Sequence, residues 1–133
     1  MPVIQSDLDV HGDSFAQNRE AMLAAIASFR EVEQKVLDKA AEAKAKFEKR
    51  GQLLPRERLN LLLDPGSPFL ELCSLAGYKL HDDKDGTQAG GGIIAGIGYV
   101  AGVRCLVIAN NSAIKGGTIS PTGLRKSLRL QQV

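Results

Sequence analysis

GGGIIAGIGYVAGVRCLVIANNS, residues 90–112, is the stretch that decides the fold. Two apolar, β-rich runs flank Ala101-Gly102, and runs joined by so short a link predict a β-hairpin. Val103, Leu106, Val107 and Ile108 leave the second run almost continuously apolar, the pattern of a strand covered on both faces. Gly90-Gly91-Gly92 lacks the GxGxxG spacing and leads into a strand rather than a helix, so it fails as a dinucleotide fingerprint. It reads as a flexible entry to the hairpin.

Downstream, Lys115-Gly116-Gly117-Thr118 forms a turn, Ser120 is placed to cap, and Pro121 opens a helix. Leu124 and Leu128 share one face of that helix, Arg125 and Arg129 another. It carries no glycine cap or terminating proline before Gln131-Gln132-Val133, as in a chain cut in mid-helix. The Lys115–Thr118 turn is the best candidate ligand site: amides at a helix start attract phosphate or carboxylate, and a lysine adds a point charge. The competing reading is that the glycines only permit a sharp strand-to-helix turn. No carboxylate follows Asp85, whereas Arg104, Lys115, Arg125, Lys126 and Arg129 lie beyond it. That asymmetry suits an anionic neighbour, and equally a solvated basic face. Whether Arg125 and Arg129 face phosphate or another subunit is open.

Upstream of the hairpin, residues 81–88 (HDDKDGTQ) are polar and turn-like and predict a flexible loop. Phe69-Leu70-Glu71-Leu72 alternates as a half-buried strand does. Leu53 to Leu63 predicts a short helix, with Pro55 in its first turn and Asp64-Pro65-Gly66 ending it. Within it, Arg56-Glu57-Arg58 fits a salt-bridge network better than a phosphate clamp, because Glu57 sits between the two cations.

The N-terminal region predicts one long helix over residues 15–50. Ser14 and Gln17 have capping-box spacing, no proline or glycine interrupts, and Gly51 supplies the left-handed stop. Met22, Ile26, Phe29, Val36, Ala40, Ala43 and Phe47 form an apolar stripe broken by Glu33. About 36 helical residues reach roughly 54 Å, more than a small domain covers, so part of the stripe is expected to meet another chain or further sequence.

The chain has 133 residues, 44% hydrophobic and 24% charged, with a formal net charge of +2, which bounds it to one globular domain of ordinary size. The first residues show no basic-then-apolar secretory signal, and no apolar run reaches the roughly 18–20 residues that cross a bilayer. Cys73 and Cys105 stand apart without a CxxC pattern, which argues against a disulfide or zinc framework and for a reducing cytoplasm. Both read as small apolar residues inside strands. His11 and His81 have no partner at a telling spacing and are expected in solvated loops. The basic C-terminal region lacks aromatic residues for base stacking, which weighs against nucleic acid.

Three segments in order, KRGQLLPRERLNLLLDPGSPFLEL (49–72), GGGIIAGIGYVAGVRCLVIANNS (90–112) and IKGGTISPTGLRKSLRLQQ (114–132), resemble the carboxyltransferase β-subunits of biotin-dependent acyl-CoA carboxylases. With the long N-terminal helix, the resemblance covers nearly the whole chain. Lys115-Gly116-Gly117-Thr118 followed by Ser120-Pro121 is similar to the branch acting on methylcrotonoyl-CoA and geranyl-CoA, and GYVAGVRCLV is closest to the geranyl-CoA carboxylases.

The resemblance implies an α/β fold: an incomplete crotonase-like (ClpP/crotonase) spiral of ββα units with a long N-terminal helix. It implies residues 1–52 as an N-terminal extension and 53–133 as the start of the N-terminal carboxyltransferase domain. It implies transfer of a carboxyl group from carboxybiotin, carried on an α-subunit, to the γ-carbon of a branched unsaturated acyl-CoA, in a cytoplasmic enzyme of hexamer-forming β-subunits. The Gly-rich turns whose amides stabilise the developing oxyanions in this family are expected beyond Val133. No catalytic residue, bound cofactor or metal is therefore assigned to this stretch, which is expected to be inactive alone. Lys115, Gly116, Gly117 and Thr118 are the residues expected in the vicinity of CoA. The alternative is a non-catalytic oligomerisation module built on the helix of residues 15–50.

Overall fold

The computed structural model describes residues 8–80 and 83–133. They fall into two units, the first ending at Glu31 and the second spanning Val32–Val133. Helix α1 (Asp13–Ala41) is followed by α2 (Lys44–Glu48), α3 (Pro55–Leu62), strands β1 (Leu70–Glu71), β2 (Ile93–Val100) and β3 (Val103–Asn110), a 3-10 turn at Lys115–Gly117, and α4 (Pro121–Leu130).

The single helix expected over 15–50 is two. At Ala43 the hydrogen bonding slips from i−4 to i−3, its amide donating to Ala40 O at 3.2 Å, while Phe47 N–H returns to Ala43 O at 3.1 Å. No proline or glycine marks this break. The start also moves: Asp13 is already helical, and Ala16 N–H donates to Gly12 O. Ser14 therefore lies inside the first turn rather than capping it. The stop is as expected. Gly51 has φ 64°, Gln52 N–H donates to Phe47 O and Gly51 N–H to Glu48 O, the paired bonds of a Schellman ending.

In the second unit, Val36 and Ala40 of α1 are buried. In the first, Met22 (62% exposed), Leu23 and Phe29 lie open. Helix α3 begins at Pro55, and Glu57 Oε2 accepts the Leu54 amide at 2.8 Å, which satisfies a donor left unpaired at a helix start. Arg56 extends from α3 to Glu71 of β1 in a two-pronged pair at 2.8 and 2.9 Å. The network expected of the Arg-Glu-Arg element thus exists, with Glu71 rather than Glu57 as the partner of Arg56.

The sheet has the order β1-β2-β3, antiparallel throughout. β2 and β3 pair over their whole lengths, from Ile93↔Asn110 to Val100↔Val103, and the Ala101-Gly102 link is as predicted. Both residues have positive φ, 51° and 77°, the signature of a type I′ turn whose twist matches the strands. Asp64 holds it: its carboxylate accepts the amides of Ala101 and Gly102, each at 2.7 Å. Glycines within β2 are a packing requirement. A Cβ on Gly96 would lie 2.5 Å from Phe69 Cζ, and one on Gly98 would lie 2.6 Å from Leu63 Cδ2.

Several expectations are corrected. β1 is only two residues long, and Leu70 is 61% exposed while Glu71 turns inward to Arg56. β3 is an edge strand with one open face, Leu106 and Ile108 being 39% and 43% exposed. Cys73 lies beyond β1, exposed and with φ 54°, because the β1–β2 bonding stops at Leu72 N–H to Ala95 O; Cys105 is within β3, half-buried. The sequence β2-β3-α4 makes one ββα unit, in which α4 lies against β2.

Among the described residues no helix is long and apolar enough to cross a membrane. His11 lies in an exposed turn with its amide on Asp9 Oδ1. His81 falls outside the described residues.

Candidate site at the start of helix α4

The Lys115–Thr118 turn is built from three consecutive left-handed residues: Lys115 at φ 47°, Gly116 at 66° and Gly117 at 80°. Glycine takes that conformation freely, whereas lysine pays roughly 1–2 kcal/mol for it. The strain is held in place by short bonds: Gly117 N–H to Ile114 O at 3.0 Å, and Thr118 Oγ1 to Lys115 O at 2.8 Å. Gly117 also packs on Ser112, whose Cα would lie 3.4 Å from any Cβ there. A held, left-handed non-glycine residue is where backbone strain and function tend to coincide.

The turn delivers the chain to α4. Ser120 Oγ accepts Gly123 N–H at 2.9 Å and Pro121 takes the first helical position, as the sequence predicts. Between the turn, the helix start and the Gly91-Gly92 backbone lies a cleft of about 40 Å³, with Asp83 and Gln88 on its far side. Binding sites for whole small molecules run to roughly 300–1,000 Å³, so the cleft takes a corner of a ligand and no more. Gln88 Oε1 is buried there without a hydrogen-bond partner among the described residues.

Two groups that sequence reasoning passed over shape this region. Asp83, 6% exposed, accepts the amides of Lys79 (3.1 Å) and Gln88 (2.9 Å). The described part of the loop expected to be flexible is therefore tied to a buried carboxylate. Lys126 is 4% exposed; its Nζ donates to Ile93 O at 2.7 Å and Gly90 O at 3.2 Å. Burial drives its pKa below the ordinary 10.5, Glu71 and Cys73 oppose that shift, and Arg56 adds to it.

The Gly90–Gly92 entry is correspondingly fixed rather than flexible. All three glycines have positive φ, Gly90 and Gly91 are buried, and Gly92 O accepts the Asn111 amide at 2.8 Å. Gly91 and Gly123 are in backbone contact: a Cβ on Gly91 would lie 2.8 Å from Gly123 Cα. The inward face of α4 is Gly123, Lys126 and Leu130, while Leu124 and Leu128 point out, 53% and 54% exposed. Gly123 was the available signal, since a glycine inside a helix marks a close approach, and Lys126 lies three residues on along the same face.

Of the four expected residues, Lys115 and Thr118 line the cleft, and Gly116 and Gly117 do not. Arg125 and Arg129 are exposed on α4. The Gly117 and Thr118 amides are spent on Ile114 O and Lys115 O and the Gly123 amide on Ser120 Oγ, so what the turn brings to an anion is the ammonium of Lys115, which is binding chemistry, not bond-making chemistry.

The chain is similar to the β-subunit of geranyl-CoA carboxylase from P. aeruginosa, with 80% identity and a TM-score of 0.86 over 98% of this chain and 24% of that one. It is 50% identical over 91 residues (68% of this chain, 17% of the relative) to the biotin-dependent 3-methylcrotonyl-coenzyme A carboxylase beta1 subunit of Mycobacterium tuberculosis. Over 98% of its length it is 39% identical to a probable mitochondrial methylcrotonoyl-CoA carboxylase beta chain of Drosophila melanogaster, of which it spans 22%. The α/β arrangement is thus part of the crotonase-like carboxyltransferase fold. The carboxyl transferase domain model matches residues 46–133, and the chain belongs to that family of carboxyltransferases.

Proposed function

We propose that this chain is the N-terminal part of the carboxyltransferase β-subunit of a geranyl-CoA carboxylase, acting on a branched, β-methyl-α,β-unsaturated acyl-CoA. The observation that carries the reading is the 80% identity to the P. aeruginosa subunit across nearly the whole chain, well above the 39–50% identity to the methylcrotonoyl-CoA enzymes. Residues 53–133 begin the N-terminal carboxyltransferase domain, and 1–52 form the extension before it. The start of the family match at residue 46 supports that division. Partners are further β-subunits, in a hexamer, and a biotin-bearing α-subunit, in the cytoplasm.

In this reading biotin supplies the carboxyl group, and the residues of this chain bind and position. Lys115 and the turn that carries it, Gly116–Thr118, meet an anionic corner of the CoA-bearing substrate, Lys115 supplying the charge. The small cleft fits that limited role, since it has room for a single polar group. The Asp64 and Lys126 contacts hold the hairpin that backs the turn.

The test is acyl-CoA-dependent incorporation of labelled bicarbonate by the subunit carrying this sequence, assembled with its biotin-bearing partner. Geranyl-CoA is expected to be carboxylated faster than 3-methylcrotonoyl-CoA. Incorporation with neither substrate would sink the proposal, and a preference for the shorter one would reassign the branch. A second reading, an oligomerisation module on the N-terminal helix, is favoured by the exposure of Met22, Ile26 and Phe29. Sedimentation of the chain alone as a discrete oligomer indifferent to CoA would support it.

A further inference from the structure

Lys126 is held inside the fold, 4% exposed, with two backbone carbonyls for its ammonium. An ammonium taken out of water loses hydration that two carbonyl acceptors restore only in part. The depressed pKa records that imbalance, the site favouring the neutral amine more than water does. The nearest charges, Glu71 on β1 and Arg56 on α3, are already joined in their own two-pronged pair. A lysine kept under those conditions is better explained by what it holds than by stability.

What it holds is specific. Its two acceptors, Gly90 O and Ile93 O, bracket the left-handed glycine loop. That loop carries Gly91, in backbone contact with Gly123 of α4, and Gly92, whose carbonyl takes the amide of Asn111. Asn111 O in turn accepts the Ile114 amide, one residue before the strained turn. Ser120 Oγ, the cap of α4, reaches Gly91 O at 3.5 Å. Loop, turn and helix start are thus joined by a chain of hydrogen bonds that begins at the two carbonyls this ammonium holds.

We propose that Lys126 is a positioning residue for the acyl-CoA side of the transferase site. By gripping the carbonyls of Gly90 and Ile93 from inside the fold, it fixes where the Lys115–Thr118 turn and the start of α4 stand. The inference rests on the carboxyltransferase reading above. It adds a role to a residue that does not itself line the cleft.

The test uses the subunit carrying this sequence, assembled with its biotin-bearing partner, as wild type, Lys126→Met and Lys126→Arg. The methionine variant keeps the length and apolar stem without donors or charge; the arginine variant restores both. Lys126→Met is expected to raise KM for acyl-CoA at least tenfold with kcat within about threefold, Lys126→Arg recovering a substantial part of the loss. Hydrogen exchange, read without any turnover, is expected to quicken about tenfold in peptides covering 88–95 and 111–118 while 103–110 stays protected.

An unchanged KM with unchanged exchange would overturn the proposal. So would uniform loss of protection, or failure of both variants to fold, either of which would make Lys126 a purely structural residue. If even the wild type turns over no acyl-CoA, the carboxyltransferase reading fails. The exchange pattern still decides separately whether Lys126 holds the loop.

Discussion

At the tip of the β2–β3 hairpin the carboxylate of Asp64 accepts two amides, and at its base the ammonium of Lys126 donates to two carbonyls. Each clamp uses one charge to hold a left-handed glycine segment, Ala101-Gly102 at the tip and Gly90–Gly92 at the base. They differ in solvent. Ala101 and Gly102 are exposed, so Asp64 works at a wet surface, whereas Lys126 is 4% exposed. Charge-assisted bonds at a wet surface gain stability at little desolvation cost, while the same bonds made inside give most of that gain back. The tip clamp is therefore read as a stability device and the base clamp as a positional one.

The glycines give the largest contrast. Gly91→Ala meets both a positive φ of 66° and the Gly123 backbone, so left-handed strain and overpacking add to about 3 kcal/mol of lost stability. Gly102→Ala, at φ 77° with nothing within 4 Å, pays only the strain, about 1 kcal/mol. Urea unfolding of the two variants side by side checks the difference. Equal losses would mean that the base loop is not packed as tightly as its contacts indicate.

Asp64 comes next. Asp64→Ala gives up two charge-assisted bonds that water replaces only in part, at about 2 kcal/mol. Asp64→Asn, which keeps one acceptor oxygen, is expected to lose roughly half as much. Thermal unfolding separates them. A neutral Asp64→Ala would show that the turn needs no clamp.

How far this asymmetry was legible in the sequence differs between the two ends. Asp64-Pro65-Gly66 announced a turn, and Ala101-Gly102 between two apolar runs announced a hairpin, because turn chemistry is local. That Asp64 would reach a turn some 37 residues onward was not visible, since the contact is tertiary. Ser120-Pro121 and Gly51 were read correctly for the same local reason. The break at Ala43 was missed because a slip from i−4 to i−3 needs no special residue. In α4 the face shared by Leu124 and Leu128 points out, and Lys126 is inside, where the loop below offers carbonyls rather than apolar surface. The turn at Lys115–Thr118 was legible because glycine pairs carry a composition signal for left-handed backbone. Lys126, its support, was missed because a buried lysine looks like any other in one dimension.

The Arg56–Glu71 pair lies between the two clamps in solvent exposure, its side chains 33% and 23% exposed. Partial screening holds its contribution to about 1 kcal/mol despite the two-pronged geometry. Arg56→Met is expected to lower stability by about that amount, and Glu71→Gln by less, since the amide oxygen still accepts one bond. Chemical denaturation in low and high salt checks this. A loss far above it would move the pair to the buried category.

Lys126 gives the smallest change at neutral pH and the most diagnostic one above it. Lys126→Met gives up two bonds to carbonyls but relieves a buried charge, so at pH 7 the two effects cancel to within about 1 kcal/mol. Above neutrality the sign is fixed by the direction of the shift. The folded pKa lies below 10.5, so between the folded value and 10.5 the unfolded chain binds more protons at this site than the folded one. Unfolding free energy contributed by Lys126 then rises with pH across that window and is flat below it. Wild type measured against Lys126→Met should therefore gain relative stability as pH climbs from 7 toward 10.5, every other titrating group cancelling in the difference. A difference that fell over that range would mean that the carbonyls of Gly90 and Ile93 stabilise the ammonium more than burial disfavours it. The base clamp would then be a stability device of the same kind as the tip.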